Sequence, residues 1–381
     1  MTTTQIKGPV TRSERALAPD LTRGAMLLFI ALANAANFAF RGQPGLDPTP
    51  YGLERVVNFG MSALIDSRAY PVFAIMFGYG LVQIWRRQGD AARRVLLRRN
   101  TALIVFGLAH ATLLYFGDFL GAYGIVGVLC TLLLLKRGDK FHRLILWLWG
   151  LQTLYAVLLA VFTLSTASAG DATLVNTPNP SLSASSYAAS IADRLAEWPL
   201  HTATVLGFVI IVWLGIWAAR HRILENPAQH RTLLRRTAIG GLSLSILGGL
   251  PYALISAGWL HVDAATVDAM SFVHALTGEY GGPGYVALFG LLATRITAGN
   301  RLAAPVVALG QRSLSGYLFQ SVAWVALFSP WALGLEGTYT AVVAAVAVWL
   351  ISVTVAQRMS AAGYRGPAET LLRRITYRTA R

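Results

Sequence analysis

In the stretch GLAHATLLYFGDFLGAYGIVG, residues 107–127, a histidine and an aspartate stand eight positions apart in one of the most apolar regions of the chain. A carboxylate beside an imidazole fixes its tautomer and stabilises the imidazolium, which is what a general base needs when it takes a proton from a hydroxyl. His110 is therefore expected as a base and Asp118 as its orienter. Each also has a structural alternative: His110 as a neutral ring bonded to a neighbouring helix, Asp118 as a helix N-cap. Other polar residues fall within apolar runs and are candidates for the same site. Arg23, Asn34 and Asn37 flank or occupy the first run, His274 and Glu279 interrupt SFVHALTGEYGGPGY, and Gln311, Arg312, Ser315, Tyr317 and Gln320 stud another. Arg312 stays charged at any physiological pH, so it needs a carboxylate, carbonyls or a bound anion. Glu279 is its expected partner by depth, as a structural ion pair or as part of a substrate contact. Arg23 or Arg312 would hold a phosphate or a developing oxyanion, and Asn34 would donate to an acyl carbonyl. Arg68, Tyr123, Glu279 and Gln320 complete the expected binding set. No metal site is expected, because the seven histidines are scattered and none pairs with the single Cys at a helical ligand spacing, and there is no G-x-S-x-G elbow or Walker loop.

These side chains must be positioned by membrane helices. Of the 381 residues 55% are hydrophobic and only 13% charged, far from the roughly 25% charged of a soluble domain. The single cysteine, Cys130, excludes an internal disulfide. Apolar runs of span length are expected near 24–40, 70–85, 100–116, 118–135, 143–165, 200–219, 237–258, 271–294, 304–328 and 339–357, which makes a polytopic all-α bundle of ten spans. The first run continues through Asn34 and Asn37 to Phe40, so it reads as a retained span and not as a cleaved signal. Lys and Arg sort onto alternate connections: 27 of the 32 lie in the segments 1–23, 86–99, 136–143, 220–236, 295–301 and 358–381. By the positive-inside rule both termini are expected in the cytoplasm. The formal net charge of +15 is thereby assigned to topology and anionic lipid, with no nucleic-acid partner.

The whole of 1–381 is expected as one integral membrane domain ending in a basic cytoplasmic tail, 358–381. Two outer connections are long. In 41–69, Leu53, Val56, Val57, Gly60, Met61 and Leu64 share one helical face, and in 166–199 so do Tyr187, Ile191, Leu195 and Trp198. A surface helix is expected in each. Gly281, Gly282, Pro283 and Gly284 break the eighth span, which lipid tolerates only where protein or a water-filled cavity satisfies the backbone.

Five stretches give the chain a family likeness: LTRGAMLLFIALANAANF at 21–38, RAYPVFAIMFGYGL at 68–81, residues 107–127, LGQRSLSGYLFQS at 309–321 and RGPAETLLRRITY at 365–377. Together they resemble the bacterial YeiB family, whose C-terminal half is a domain of unknown function. The family elements are carried here by His110, Gly117, Asp118 and Tyr123, and by Gly366, Pro367, Glu369, Arg373, Thr376 and Tyr377. That family is distantly similar to membrane acyltransferases that move acetyl groups from cytoplasmic acetyl-CoA to sugars across the membrane. Those enzymes often carry an arginine and, three helical turns on, a histidine, where this chain has Arg23 and then Asn34. The resemblance implies a multipass protein of the inner (plasma) membrane. It also implies an acyltransferase that takes acyl-CoA as co-substrate and a cell-envelope sugar or lipid hydroxyl as acceptor, with membrane lipids around it. The alternative class is a transporter or lipid-interacting protein with a polar intramembrane cavity.

Overall fold

Where lipid offers no partner for free N–H and C=O groups, an apolar chain satisfies its backbone as helix. The computed structural model describes residues 16–207, 209–296 and 300–377. The first fifteen residues, position 208 of the sixth expected span, part of the 295–301 connection and the last four residues of the basic tail lie outside them. Sixteen α-helices follow in order: α1 Leu17–Ala39, α2 Leu53–Gly60, α3 Ala69–Gln88, α4 Ala92–Leu113, α5 Leu120–Leu129, α6 Asp139–Ser165, α7 Pro180–Ser183, α8 Tyr187–Leu206, α9 Val209–Arg220, α10 Arg231–Ser256, α11 Ala264–Gly278, α12 Gly281–Ala293, α13 Ala303–Gly310, α14 Ser313–Phe328, α15 Thr338–Ala361 and α16 Pro367–Thr376. The only strand pairing among the described residues is antiparallel, Gly42–Gln43 with Thr177–Pro178, and it ties the two long connections together.

Among the described residues four helices, α1, α6, α10 and α15, are long and apolar enough to cross a membrane, and α8 with α9 would make a fifth as one bent span. The other expected spans coincide with helices that are short, broken or charged, the fourth with α5 and the π-helical turn Cys130–Leu134 that continues it. The eighth divides at Glu279 and Tyr280 into α11 and α12, the ninth at Gln311 and Arg312 into α13 and α14, and α3 and α4 carry arginines at their adjoining ends. The second expected surface helix begins where foreseen, at Tyr187 with Ser186 as N-cap, but runs on through Pro199 as α8. A proline inside a helix forfeits one backbone bond, which is tolerated where neighbours cover the turn.

α1 occupies the centre, packed by α3, α12, α13, α14 and α15. The largest apolar cluster lies where α3 crosses α9, around Val72, Ile75, Met76, Val212 and Ile216. α6 stands at the periphery with most of its apolar surface exposed, as a lipid-facing helix would. It is held by the His142 ring, which accepts from Trp213 at 2.6 Å, and by the Tyr280 hydroxyl, which donates to Thr153 at 2.9 Å.

Candidate functional site

α1, α3, α4, α11, α14 and α16 enclose a cavity of about 1050 Å³. Along α3 its wall runs from Ala69 to Arg87. At 1.5 Å per residue that is roughly 27 Å, nearly the thickness of a bilayer's hydrocarbon core. One end is basic, lined by Arg23, Arg87, Arg99 and Arg373 with Gln83 and Tyr377. Arg23 donates to the Met76 carbonyl at 3.2 Å and lies 3.4 Å from Asp20, while the Arg99 guanidinium sits 5.2 Å from the Phe77 ring centroid. The middle is aromatic, with Tyr70, Phe73, Phe77, Phe119, Tyr123 and Tyr317. At the far end Asn37, Asp66, Ser67, Ser271 and His274 turn it polar again.

The polar end is built around Asp66. α2 continues as one π-helical turn, Met61–Ile65, and Asp66 follows in extended conformation with its N–H bonded back to the Met61 carbonyl at 2.8 Å. Ser67 then adopts a left-handed φ of 60°, and Arg68 precedes α3. A π-turn and a left-handed non-glycine residue side by side are backbone costs that cluster at functional sites. His274 of α11 meets the Asp66 carboxylate at 2.9 Å through Nε2. In this pair the carboxylate is the reachable member: the Asp66 side chain is 26% exposed and that of His274 only 3%. Burial alone would push the Asp66 carboxyl up, but the hydrogen bond and charge of His274, with the charge of Arg68, hold it below its ordinary value. Gly249 of α10 makes room behind the pair, since a Cβ there would lie 2.3 Å from Nη2 of Arg68 and 3.0 Å from Nδ1 of His274.

His110 and Asp118 do meet. His110 Nδ1 is 3.0 Å from Asp118 Oδ1, and Nε2 is 2.8 Å from the Ser321 hydroxyl of α14. Asp118 also accepts from the Gly121 N–H at 2.7 Å, so it caps α5 and orients the histidine at once. The chain turns tightly enough for this because Gly107 has no side chain; a Cβ there would lie 2.1 Å from the Gly121 nitrogen and 2.4 Å from Asp118 Oδ2. Both His110 nitrogens are engaged, both side chains are fully buried, and neither residue lines the cavity, where the Tyr317 ring stands, 4.9 Å from that of His110.

Of the other expected site residues, Arg23, Asn34 and Tyr123 line the cavity. Tyr123 donates to the Tyr70 carbonyl at 3.0 Å, and Asn34 has no side-chain hydrogen bond among the described residues. Arg68 is buried behind the cavity, donating to the carbonyls of Asp66 and Ser245. Gln320 donates to the Leu27 carbonyl at 3.2 Å, inside the α1 and α14 contact. The expected Glu279 to Arg312 pairing is corrected: Glu279 accepts from Gln152 at 3.4 Å, whereas Arg312 donates to the carbonyls of Ala308 and Tyr364. The Ala308 carbonyl belongs to the last turns of α13 and the Tyr364 carbonyl to the connection between α15 and α16. No cluster of metal-ligating side chains occurs among the described residues. Asp66 and Ser321 were not among the expected residues. The signal for Asp66 was a carboxylate at the edge of an apolar run, in LIDSRAYP; Ser321 reads in sequence as an ordinary small helix residue.

Residues 218–379 match the model of a family described as a protein of unknown function, DUF418. The chain is 24% identical to the uncharacterized protein YxaH of Bacillus subtilis (strain 168), over 97% of this chain and 96% of that one. It is 33% identical to the uncharacterized protein YeiB of Escherichia coli (strain K12), over 31% of this chain and 30% of that one. An uncharacterized 39.9 kDa protein in the amylase 3' region of Bacillus acidopullulyticus is 24% identical over 82% of this chain and 79% of its own.

Proposed function

We propose, from the premise that this chain is a YeiB-like protein, that its cavity transfers an acyl group from acyl-CoA at the arginine end to a hydroxyl acceptor at the Asp66 end. The single observation that carries this reading is one continuous cavity with a cationic mouth, an aromatic middle and a carboxylate–histidine pair at the opposite end. Four arginines suit the phosphates of coenzyme A, and aromatic walls suit an acyl chain. Asn34 has a free amide to polarise the thioester carbonyl. We place the proton acceptor at Asp66 and not at His110, because His110 is closed off behind Tyr317 with both ring nitrogens bonded. In the step itself, Asp66 takes the acceptor's O–H proton, with His274 stabilising the charge change. The oxygen forms the new ester bond at the carbonyl carbon, the C–S bond breaks, and the thiolate takes up the proton held by Asp66, leaving as coenzyme A thiol and restoring the carboxylate.

Ten crossings with both termini in the cytoplasm complete the proposal. They rest on the partition of lysine and arginine, and would put the arginine mouth on the acyl-CoA side of a bacterial inner membrane and Asp66 facing envelope sugars or lipid hydroxyls. The test is thiol release from acyl-CoA by the purified protein with a sugar acceptor. Asp66→Asn and His274→Gln should each lower the rate on the order of 10²-fold or more while acyl-CoA binding persists. Wild-type protein that neither binds nor cleaves acyl-CoA would sink the reading. A second reading, a proton-linked transporter, is favoured by the cavity wall at the break between α13 and α14, where Gly310, Gln311 and Ser313 line it. It expects solute uptake that depends on a pH gradient and no thioester cleavage.

A further inference from the structure

A second cleft, of about 700 Å³, lies away from the first, between the beginning of α10 and the end of α12. Arg231, Arg235, Arg236 and Arg295 surround it. Among the described residues no carboxylate lines the cleft and none pairs with any of the four. Four like charges gathered without a counter-charge repel one another unless an anion joins them. The wall of the cleft is nevertheless apolar, formed by Ile239, Leu288, Leu291 and Leu292. From it an apolar track continues along α10: Ile239 and Leu247 are exposed, and stand with Arg235 on one helical face at intervals of four and eight residues. α10 is long and apolar enough to cross a membrane, and the arginines mark the end of its apolar stretch.

We propose that this cleft binds the headgroup of an anionic phospholipid, with an acyl chain lying along Ile239 and Leu247. The arginine forks match phosphate oxygens, which zwitterionic headgroups offer only beside a cation of their own. The apolar track distinguishes a lipid from a free phosphate, which has nothing to place against it. This site is independent of the acyl-transfer reading and rests only on α10 crossing the membrane.

The test uses full-length protein in detergent, with bound lipid counted by native mass spectrometry after titration with phosphatidylglycerol or phosphatidylcholine. Phosphatidylglycerol is expected to bind at least about tenfold more tightly. Arg235→Gln combined with Arg295→Gln should remove that preference, while Arg93→Gln combined with Arg94→Gln, an equal loss of charge on α4, should keep it. Should the double variant fail to fold, Arg235→Gln alone carries the same comparison. Equal binding of the two lipids, or an unchanged preference in the cleft variant, overturns the proposal. So does displacement of the lipid by equimolar inorganic phosphate, which would mark a free-anion site. Retention of nucleic acid or an acidic protein by the cleft in place of lipid would overturn it as well.

Discussion

A carboxylate that is both partly exposed and held by a histidine can exchange a proton with a ligand, while a fully buried one can only hold its neighbours in place. That contrast separates Asp66–His274 from Asp118–His110. The Asp66 carboxyl is held below its ordinary value, so the stability it contributes is fully present above the unfolded-state pKa of about 3.9 and is lost as pH falls through the lower folded value. Asp66→Asn should therefore flatten the acid limb of a plot of melting temperature against pH, below about pH 4, besides lowering activity. His110→Gln should do the opposite of what a base predicts. Losing a buried, charge-assisted hydrogen bond should cost about 2 kcal/mol and lower the melting temperature in detergent, with thioester cleavage falling only as the folded fraction falls. An unchanged melting temperature with lost activity would return His110 to the chemistry. The pairing of His110 with Asp118 was legible in the sequence, because eight residues across a turn leave little choice of partner. Which of the two histidine–carboxylate pairs faces the cavity was not, since that depends on where α11 packs, and no spacing within the chain encodes it.

Helices here are positioned by what happens at their ends. Glu369 of α16 accepts from the Leu314 and Ser315 N–H groups at 2.8 and 3.0 Å and from the Ser315 hydroxyl, so its carboxylate caps the first turn of α14. That clamp places Leu372, Arg373 and Tyr377 in the wall at the arginine mouth. Glu369→Gln exchanges a charged cap for a neutral one and should cost about 1 kcal/mol, read as a lower melting temperature and faster proteolysis near the C-terminus. Gly107→Ala should be worse. Its Cβ would drive α4 from α5 against backbone atoms, an overpacking of about 3 kcal/mol that detergent melting would register. The helical character of the apolar runs was legible; the interruption of the eighth was expected at its glycines and proline, which instead open α12, and it falls at Glu279 and Tyr280. Less legible were the fusion of the 187–199 segment into α8 and the break at Arg312, because local composition does not reveal which neighbours will satisfy an interrupted backbone.

Taken whole, the molecule is a helical bundle with a cavity nearly as long as a bilayer's apolar layer is thick. The proposed orientation expects reporters fused after Trp85, Arg137 and Arg222 to read cytoplasmic and those within 41–69 or 166–199 to read external. An external reading at Arg222 would invert the assignment of the arginine mouth to the acyl-CoA side. Charge partition is what the expected orientation rests on, and the cavity was foreshadowed in the sequence only as a need of the glycines and proline of the eighth span. The most direct measurement is photo-crosslinking by an acyl-CoA that carries a diazirine in its acyl chain, with labelled peptides located by mass spectrometry. Saturable labelling of the α1, α3 and α14 segments that line the cavity, around Asn34, Tyr70 and Tyr317, and competed by unlabelled acyl-CoA, is the expected result. Labelling confined to the exposed face of α6, or insensitive to competitor, would contradict the account.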